Sequence, residues 1–198
     1  MKVLNGRYQI KEKYAETLNS LVFSACDLIE KRDGIIVKIL NRNVKKRFPA
    51  EYFKIEYRAA SLLEHPLVRK VERFYKIYSI DGTVMSDGDY FYTAIQLPDV
   101  LRETSAVDKK LFFNQAMCGL SFIHRAGYFH GDIRINNFLY DGEGIFFFDL
   151  SPFLDVPEGR SYDMKKITEI FKRMNIMIPK KRETVGDYLG HPLFEPDL

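Results

Sequence analysis

The sequence is poor in the features that mark several large classes of protein. Its 198 residues include two cysteines, Cys26 and Cys118, which form no CxxC or Cys/His spacing. This argues against a disulfide framework or a zinc site, and we expect both cysteines to be buried thiols. No apolar run approaches the roughly 20 residues that span a bilayer, and the first residues lack the apolar stretch of a secretory signal. We therefore expect a cytoplasmic protein, with secretion into a host cell by a route that needs no such signal as the alternative.

Charge of one sign is also scarce. The chain carries 30 Lys and Arg residues against 27 Asp and Glu residues, which leaves a net charge of +3. Because nucleic-acid binding needs clustered positive charge, we expect no nucleic-acid partner. The apolar fraction of 46% and the aromatic fraction of 14% are those of a globular protein. The length suits one domain that folds alone, and we expect a monomer.

Short apolar runs separated by turns dominate the first part of the chain. Three of them predict an antiparallel meander: Tyr8–Ile10, Leu21–Ala25 and Ile35–Leu40. Apolar positions then recur at helical spacing from Pro49 to Leu63, which predicts a helix. The following His65-Pro66 ends it. Two further strands are predicted over 71–80 and 90–97.

The second part of the chain is mainly helical. A long core helix is predicted up to Ala126, and Ser105-Ala-Val-Asp108 at its start resembles a capping box. A hairpin is predicted around Asp141-Gly-Glu-Gly144, with strands at 138–140 and 145–148. Two more helices are predicted near 162–174 and 185–189. These elements together predict an α+β protein.

Polar residues cluster on both sides of the predicted hairpin. The segment His130-Gly-Asp132-Ile-Arg134-Ile-Asn-Asn137 precedes it, and Asp149-Leu-Ser151 follows it. Because a hairpin brings its flanks together, we expect Asp132, Asn137 and Asp149 to share a small volume. Oxygen ligands at that density suit Mg²⁺. The alternative is a set of ordinary turn-forming Asp and Asn residues.

In their order along the chain, these motifs resemble the eukaryotic-type protein kinase family. His130-Gly-Asp132 with Asn137 is similar to the catalytic loop H-R-D-x-x-x-x-N, and Asp149-Leu-Ser is similar to D-F-G. Ile35-Ile-Val-Lys38 is similar to V-A-I-K, and Glu56 takes the place of the glutamate that pairs with that lysine. The resemblance covers nearly the whole chain.

The resemblance implies a two-lobed protein-kinase-like fold. Residues 1–97 would form the N-lobe, with a small antiparallel sheet and one helix. Residues 98–198 would form a mainly helical, truncated C-lobe that contains the catalytic loop, the Asp149 motif and a shortened activation segment. Asp163 is similar to the aspartate that anchors the catalytic loop in the family, with an ordinary surface or capping aspartate as the alternative.

The resemblance also implies that ATP and Mg²⁺ are the cofactors. Lys38 would hold the α- and β-phosphates, with Glu56 orienting its ammonium group. Asn137 and Asp149 would hold Mg²⁺ across the phosphates. These residues would bind the nucleotide and the metal, and two others would act on the acceptor.

Asp132 and Arg134 are the residues implied for the transfer itself. Asp132 would accept the proton of the attacking hydroxyl and align it. Arg134 lies where serine/threonine members carry a lysine, and its guanidinium would neutralise charge that develops during transfer. Together with Lys38, these are the expected catalytic residues.

The phosphate-covering loop is the largest departure from the family. The family pattern G-x-G-x-x-G-x-V becomes Ala15-Glu-Thr17-Leu-Asn-Ser20-Leu-Val22, in which other small residues replace every glycine. We expect Ala15, Thr17 and Ser20 to approach the phosphates and Val22 to contact the adenine. Gly131 also replaces the arginine that many members pair with a phosphorylated activation loop, so we expect no control of that kind.

Three functions follow from this resemblance. The first is a minimal serine/threonine protein kinase that acts on a protein hydroxyl, with a bacterial effector kinase as one form of it. The second is a small-molecule kinase, because the same motifs resemble the heptose and Kdo kinases of lipopolysaccharide-core assembly. The third is a pseudokinase that acts as a binding module, which the glycine-free loop would favour.

Overall fold

The fold is taken from a computed structural model, which describes residues 2–17, 20–41, 50–86, 89–95, 99–100, 107–151 and 158–176. The chain divides into two compact units. The first unit comprises Met1–Ser61 and Lys70–Gln96, and the second comprises Leu62–Arg69 and Leu97–Leu198. The α+β class predicted from the sequence is confirmed. The predicted boundary between residues 97 and 98 stays a prediction.

The first unit contains an antiparallel sheet. Its described strands are β1 (Val3–Leu4), β2 (Tyr8–Glu16), β3 (Ser20–Asp27), β4 (Arg32–Leu40), β5 (Val71–Lys76), β6 (Ser79–Ile80), β7 (Thr83–Val84) and β8 (Tyr90–Ile95). They are ordered β5-β8-β4-β3-β2-β1-β6-β7 across the sheet. The predicted meander is confirmed as β2, β3 and β4. The strand predicted over 71–80 is divided into β5 and β6.

One helix, α1 (Ala50–Leu62), packs on this sheet. The Phe53 ring lies 5.2 Å from the Tyr92 ring and 6.1 Å from the Phe74 ring, measured between centroids. Phe53 is fully buried, and burying such a side chain contributes about 2–3 kcal/mol. The other face of the sheet carries its own apolar cluster, formed by Leu4, Tyr8, Ala25, Ile35, Val37, Ile77 and Phe91.

The second unit contains two helices and a small sheet among its described residues. The helices are α2 (Lys109–Arg125) and α3 (Gly159–Arg173), and the strands are β9 (Asp99–Val100), β10 (Phe138–Tyr140) and β11 (Ile145–Phe147). The predicted hairpin is confirmed as β10 and β11, and β9 pairs with β10. The last predicted helix, near 185–189, lies outside the described residues.

Helix α2 forms the centre of the second unit. Its N-cap is Asp108, whose carboxylate accepts a 2.7 Å hydrogen bond from the Leu111 N–H. The predicted capping box, with Asp108 as its last residue, is therefore wrong, and Ser105 lies outside the described residues. The absence of a side chain at Gly119 allows the helix to pack closely on β11, because a Cβ atom there would lie 2.7 Å from the Phe147 ring. This close packing fixes the hairpin that carries the polar cluster.

Among the described residues, none of the helices combines the length and the apolar character that a membrane span requires.

The two cysteines are free thiols, as predicted, but the expectation that they are buried is wrong. Cys26 and Cys118 are both only partly buried. Burial still raises the pKa of the Cys118 thiol above its ordinary value. Burial also raises the pKa of the Cys26 thiol, and a raised pKa disfavours the reactive thiolate form.

Candidate functional site

Lys38 and Glu56 form a buried ion pair in the first unit. Lys38 lies in β4 and Glu56 on the buried side of α1. The Lys38 Nζ atom is 2.6 Å from Glu56 Oε1, and the two side chains are only 11% and 5% exposed. Lysine and glutamate are almost never buried to this extent unless they are paired. The structure thus brings together the two residues that the sequence predicted as partners.

The predicted phosphate-covering residues lie at the hairpin between β2 and β3. Val22 in β3 is opposite Ala15 in β2 and opposite Lys38 in β4. Because residues directly opposite each other point to the same face, Val22 and Lys38 share a face of the sheet. The Thr17 N–H donates to the Ser20 carbonyl at 2.8 Å, and the Ser20 N–H donates to Thr17 Oγ1 at 3.0 Å. These two backbone donors are therefore used inside the turn itself. Residues 18–19 lie outside the described part.

Asp132, Arg134 and Asn137 lie together in a loop of the second unit. The Asn137 amide nitrogen donates to the Asp132 carbonyl at 2.8 Å and to Asp132 Oδ2 at 3.0 Å. The Arg134 guanidinium pairs with the same Oδ2 at 2.5 Å. Asn137 is buried, while the Arg134 side chain is 60% exposed and that of Asp132 is 28% exposed. The Asp132 carboxylate is therefore held in one orientation and still reaches solvent.

The hairpin brings Asp149 beside this loop. The Phe148 N–H donates to the Asn137 carbonyl at 3.2 Å, and the Ser151 N–H donates to the His130 carbonyl at 2.6 Å. Asp149 lies between these two bonds with a φ of 61°. Aspartate tolerates this left-handed conformation better than most residues, and such strained backbone is concentrated at functional sites. These two backbone hydrogen bonds therefore hold the segment of Asp149 beside the loop that carries Asp132 and Asn137.

His130 connects the two ends of this loop. Its Nε2 atom lies 3.1 Å from the Phe148 carbonyl oxygen, and its Nδ1 atom accepts a 3.3 Å hydrogen bond from the Asp132 N–H. Both contacts are satisfied by a neutral ring that carries its proton on Nε2. Burial lowers the pKa of His130 below its ordinary value, against the opposing effect of the Asp163, Asp132 and Asp149 carboxylates. With both ring nitrogens engaged, the ring positions the loop.

Asp163 anchors the same loop from α3. Its Oδ2 atom accepts a 2.6 Å hydrogen bond from the His130 N–H and lies 3.0 Å from His124 Nε2. Its Oδ1 atom accepts a 2.9 Å bond from the Gly131 N–H, and the side chain is 0% exposed. The alternative of an ordinary surface or capping aspartate is therefore wrong. A buried carboxylate with three donors fixes the backbone immediately before Asp132.

The glycine at position 131 is required by the backbone. Its φ is +80°, and a Cβ atom there would lie 2.1 Å from the Ser151 carbonyl oxygen. No side chain fits between the two segments without moving one of them. Gly131 thus allows the segment after Asp149 to lie directly on the loop.

We expect Gly131→Ala to lower the free energy of unfolding by about 3 kcal/mol, since backbone strain and a steric clash add together. Urea denaturation measures this change. Gly127→Ala is the matched control, because Gly127 has a φ of +88° but nothing within 4 Å of its Cβ position. That variant should lose about 1 kcal/mol from strain alone. Equal losses in the two variants would contradict the close contact with Ser151.

The buried histidine predicts a pH dependence of stability. A neutral His130 in the folded state binds fewer protons than the unfolded chain below its ordinary pKa of about 6.5, so the free energy of unfolding should fall as the pH drops below that value. One proton of difference between the two states corresponds to a slope of at most about 1.4 kcal/mol per pH unit. His65, whose pKa burial also lowers, adds a smaller effect in the same direction. Urea midpoints measured between about pH 8 and pH 5 test this, and His65→Gln removes the contribution of His65. A flat profile in that variant would refute the assignment of a neutral ring.

The second unit also offers oxygen ligands of the kind that Mg²⁺ prefers. Both hydrogen bonds of the Asn137 amide are donated by its nitrogen, so its carbonyl oxygen could act as a ligand atom, and Asp149 carries a carboxylate. Within the described ranges, no group of three or more His, Cys, Asp and Glu side chains is arranged to hold a metal ion. A donor set this small suits Mg²⁺, which takes one or two carboxylates and completes its shell with phosphate and water oxygens. The residues therefore fit the predicted ion.

Tyr92 was not singled out by the sequence pattern. Its hydroxyl donates a 2.5 Å hydrogen bond to Glu56 Oε1. In the sequence it is one of 12 tyrosines, and nothing local distinguishes it from a core aromatic. Only the register of β4 with β8, which sets Tyr92 opposite Lys38, shows that it belongs to the site.

Comparison with known proteins gives distant similarities to protein kinases. The chain is 26% identical over 144 residues to CBL-interacting serine/threonine-protein kinase 17 of Arabidopsis thaliana, which covers 70% of this chain and 32% of that protein. It is 28% identical over 144 residues to CBL-interacting protein kinase 9 of Oryza sativa subsp. japonica, with coverages of 70% and 30%. It is 29% identical over 111 residues to serine/threonine-protein kinase KIN4 of Saccharomyces cerevisiae, with coverages of 54% and 14%. No family model matches the chain.

These similarities are partial on both sides. The chain spans about a third or less of the length of the curated relatives it matches. They support a distant, protein-kinase-like relationship.

Proposed function

We propose that this protein is an ATP-dependent phosphotransferase, and specifically a minimal serine/threonine protein kinase that transfers the γ-phosphate of ATP to a protein hydroxyl. The observation that carries the proposal is a loop in which Asn137 bonds to Asp132, Asp163 fixes the preceding backbone, and backbone hydrogen bonds on both sides of Asp149 join its segment to the loop. In this proposal the first unit is the N-lobe and the second unit is the truncated C-lobe of a protein-kinase-like fold. The distant kinase relatives support the same assignment.

The proposed nucleotide contacts come from the first unit. Lys38 would bind the α- and β-phosphates, and Glu56 would keep its ammonium group in place. Val22 shares the face of Lys38 and would contact the adenine. Because the Thr17 and Ser20 N–H groups are bonded within their turn, that loop offers fewer donors to phosphate than a glycine-rich loop does. We therefore expect Lys38 to carry a larger share of phosphate binding.

The proposed transfer chemistry comes from the second unit. Asn137 and Asp149 would hold Mg²⁺, which when bound neutralises negative charge on the phosphate oxygens. Asp132, oriented by the Asn137 amide, would accept the proton of the acceptor hydroxyl. Arg134, which is exposed and pairs with Asp132, would move its guanidinium onto the transferred phosphoryl group.

A sugar hydroxyl is the second candidate acceptor, and the connection to α3 favours it. Ser151 is hydrogen bonded to His130, and α3 begins at Gly159. The segment that would form an activation and peptide-docking region is therefore short. The heptose and Kdo kinases, which the motifs also resemble, act without a long segment of this kind.

Incubation of the purified chain with labelled Mg-ATP tests both acceptors. One sample receives a cell lysate, a second receives lipopolysaccharide-core glycolipid, and a third receives no acceptor. Label on proteins, or a phosphoryl mass added to the chain itself by intact-mass spectrometry, supports the protein kinase. Label on the glycolipid alone supports the sugar kinase. No transfer under any condition, with nucleotide binding retained, would instead establish a pseudokinase.

A further inference from the structure

The Glu56 carboxylate has a second hydrogen-bond donor besides Lys38. The Tyr92 hydroxyl donates to Glu56 Oε1 at 2.5 Å, and Lys38 Nζ lies 2.6 Å from the same oxygen atom. Glu56 is 4% exposed as a residue, so its charge depends on these donors rather than on water. Bonds to an ionised acceptor are stronger than bonds between neutral groups. The tyrosine therefore makes a large contribution to the position of this carboxylate.

The Tyr92 ring is fixed by the elements on both sides of it. Tyr92 is opposite Lys38 in the register of β4 and β8, so both side chains stand on the face that α1 covers. Its ring centroid lies 5.2 Å from that of Phe53 and 6.1 Å from that of Tyr57, both on α1. The ring thus contacts the helix that carries Glu56 while its hydroxyl holds the Glu56 carboxylate. Tyr92 therefore connects both α1 and the Glu56 carboxylate to the sheet.

We propose that Tyr92 is a positioning residue that holds Glu56 against Lys38. This inference rests on the proposed phosphotransferase function, because Glu56 acts there by orienting Lys38. While Lys38 binds phosphate, the Tyr92 hydroxyl would keep the Glu56 carboxylate beside the Lys38 ammonium group.

Tyr92→Phe tests the hydroxyl without removing the ring. We expect kcat for transfer from ATP to fall about tenfold, as the loss of one hydrogen bond to a charged group predicts, while KM for ATP changes less than threefold. Tyr57→Phe is the matched control, since it removes a hydroxyl from the same aromatic cluster, and it should retain kcat within twofold. Equal kcat values in the two variants would overturn the proposal.

A double-mutant cycle with Glu56→Gln distinguishes positioning from general loosening. If Tyr92 acts through Glu56, Tyr92→Phe should change kcat less than twofold in the Glu56→Gln background. A full tenfold loss in that background would mean that Tyr92 has only a structural role. Urea unfolding of the same four proteins measures their stability. The effect of Tyr92→Phe on the unfolding equilibrium constant should differ at least threefold between the wild-type and Glu56→Gln backgrounds. If the wild-type chain transfers no phosphate, the proposed function fails, and the unfolding cycle alone decides whether the Tyr92–Glu56 contact exists.

Discussion

Asp149→Asn and Asp132→Asn are both expected to reduce phosphoryl transfer about 1,000-fold, but only Asp149→Asn should weaken Mg²⁺-dependent nucleotide binding. The difference follows from the proposed roles: Asp149 supplies a charged ligand to the metal, whereas Asp132 meets the acceptor hydroxyl. Asparagine tolerates the left-handed conformation that Asp149 adopts at a φ of 61°. The variant is therefore expected to fold, and the loss can be assigned to the charge.

Titration with ATP in the presence of Mg²⁺ and of EDTA measures binding, and intact-mass spectrometry measures transfer. Asp141→Asn is the matched control. Asp141 accepts hydrogen bonds from Glu143 and Gly144 in the hairpin turn, away from the loop, and an asparagine side chain preserves that turn. This control should keep transfer within twofold. Equal Mg²⁺-dependent binding in the wild type and Asp149→Asn would remove Asp149 from the metal site.

Sequence patterns were sufficient for the elements that follow one clear period. Helix α1 lies within the range predicted from its apolar spacing, and α2 and the β10–β11 hairpin lie close to their predicted positions. Strands β1 and β7 were missed because two residues are too few to show a period. They form because the chain returns to pair with them: Leu4 in β1 is opposite both Tyr8 and Ile80. Such long-range pairing leaves no local mark in the sequence.

The same distinction applies to the candidate site. The grouping of Asp132, Asn137 and Asp149 was predictable because a hairpin brings its flanks together wherever it lies. Tyr92 was not, because its contact depends on strand register, and the sequence left Asp163 open between an anchor and an ordinary aspartate, because the choice depends on the burial of α3. Asp163 shows this most clearly. In the sequence it is an aspartate near the start of a helix, and only its complete burial separates an anchor from a cap.

We expect Asp163→Ala to lower the free energy of unfolding by about 3–5 kcal/mol, the range for removing one partner from a buried charged network. The variant leaves three buried donors without their acceptor, namely the backbone N–H groups of His130 and Gly131 and the His124 ring. Each donor left without a partner costs about 1–3 kcal/mol. Because two of them belong to the backbone directly before Asp132, transfer activity should be lost as well.

Urea denaturation measures the stability loss, with Glu169→Ala in the same helix as the control. Glu169 pairs with Lys166 at 3.1 Å near the surface, so its removal should cost less than about 1 kcal/mol. His124→Phe separates the contributions, since it removes the ring donor while both backbone bonds to Asp163 remain. It should cost less than Asp163→Ala and should retain part of the activity. If Asp163→Ala is no less stable than Glu169→Ala, the backbone bonds to His130 and Gly131 do not hold the loop, and Asp132 must be positioned by Asn137 alone.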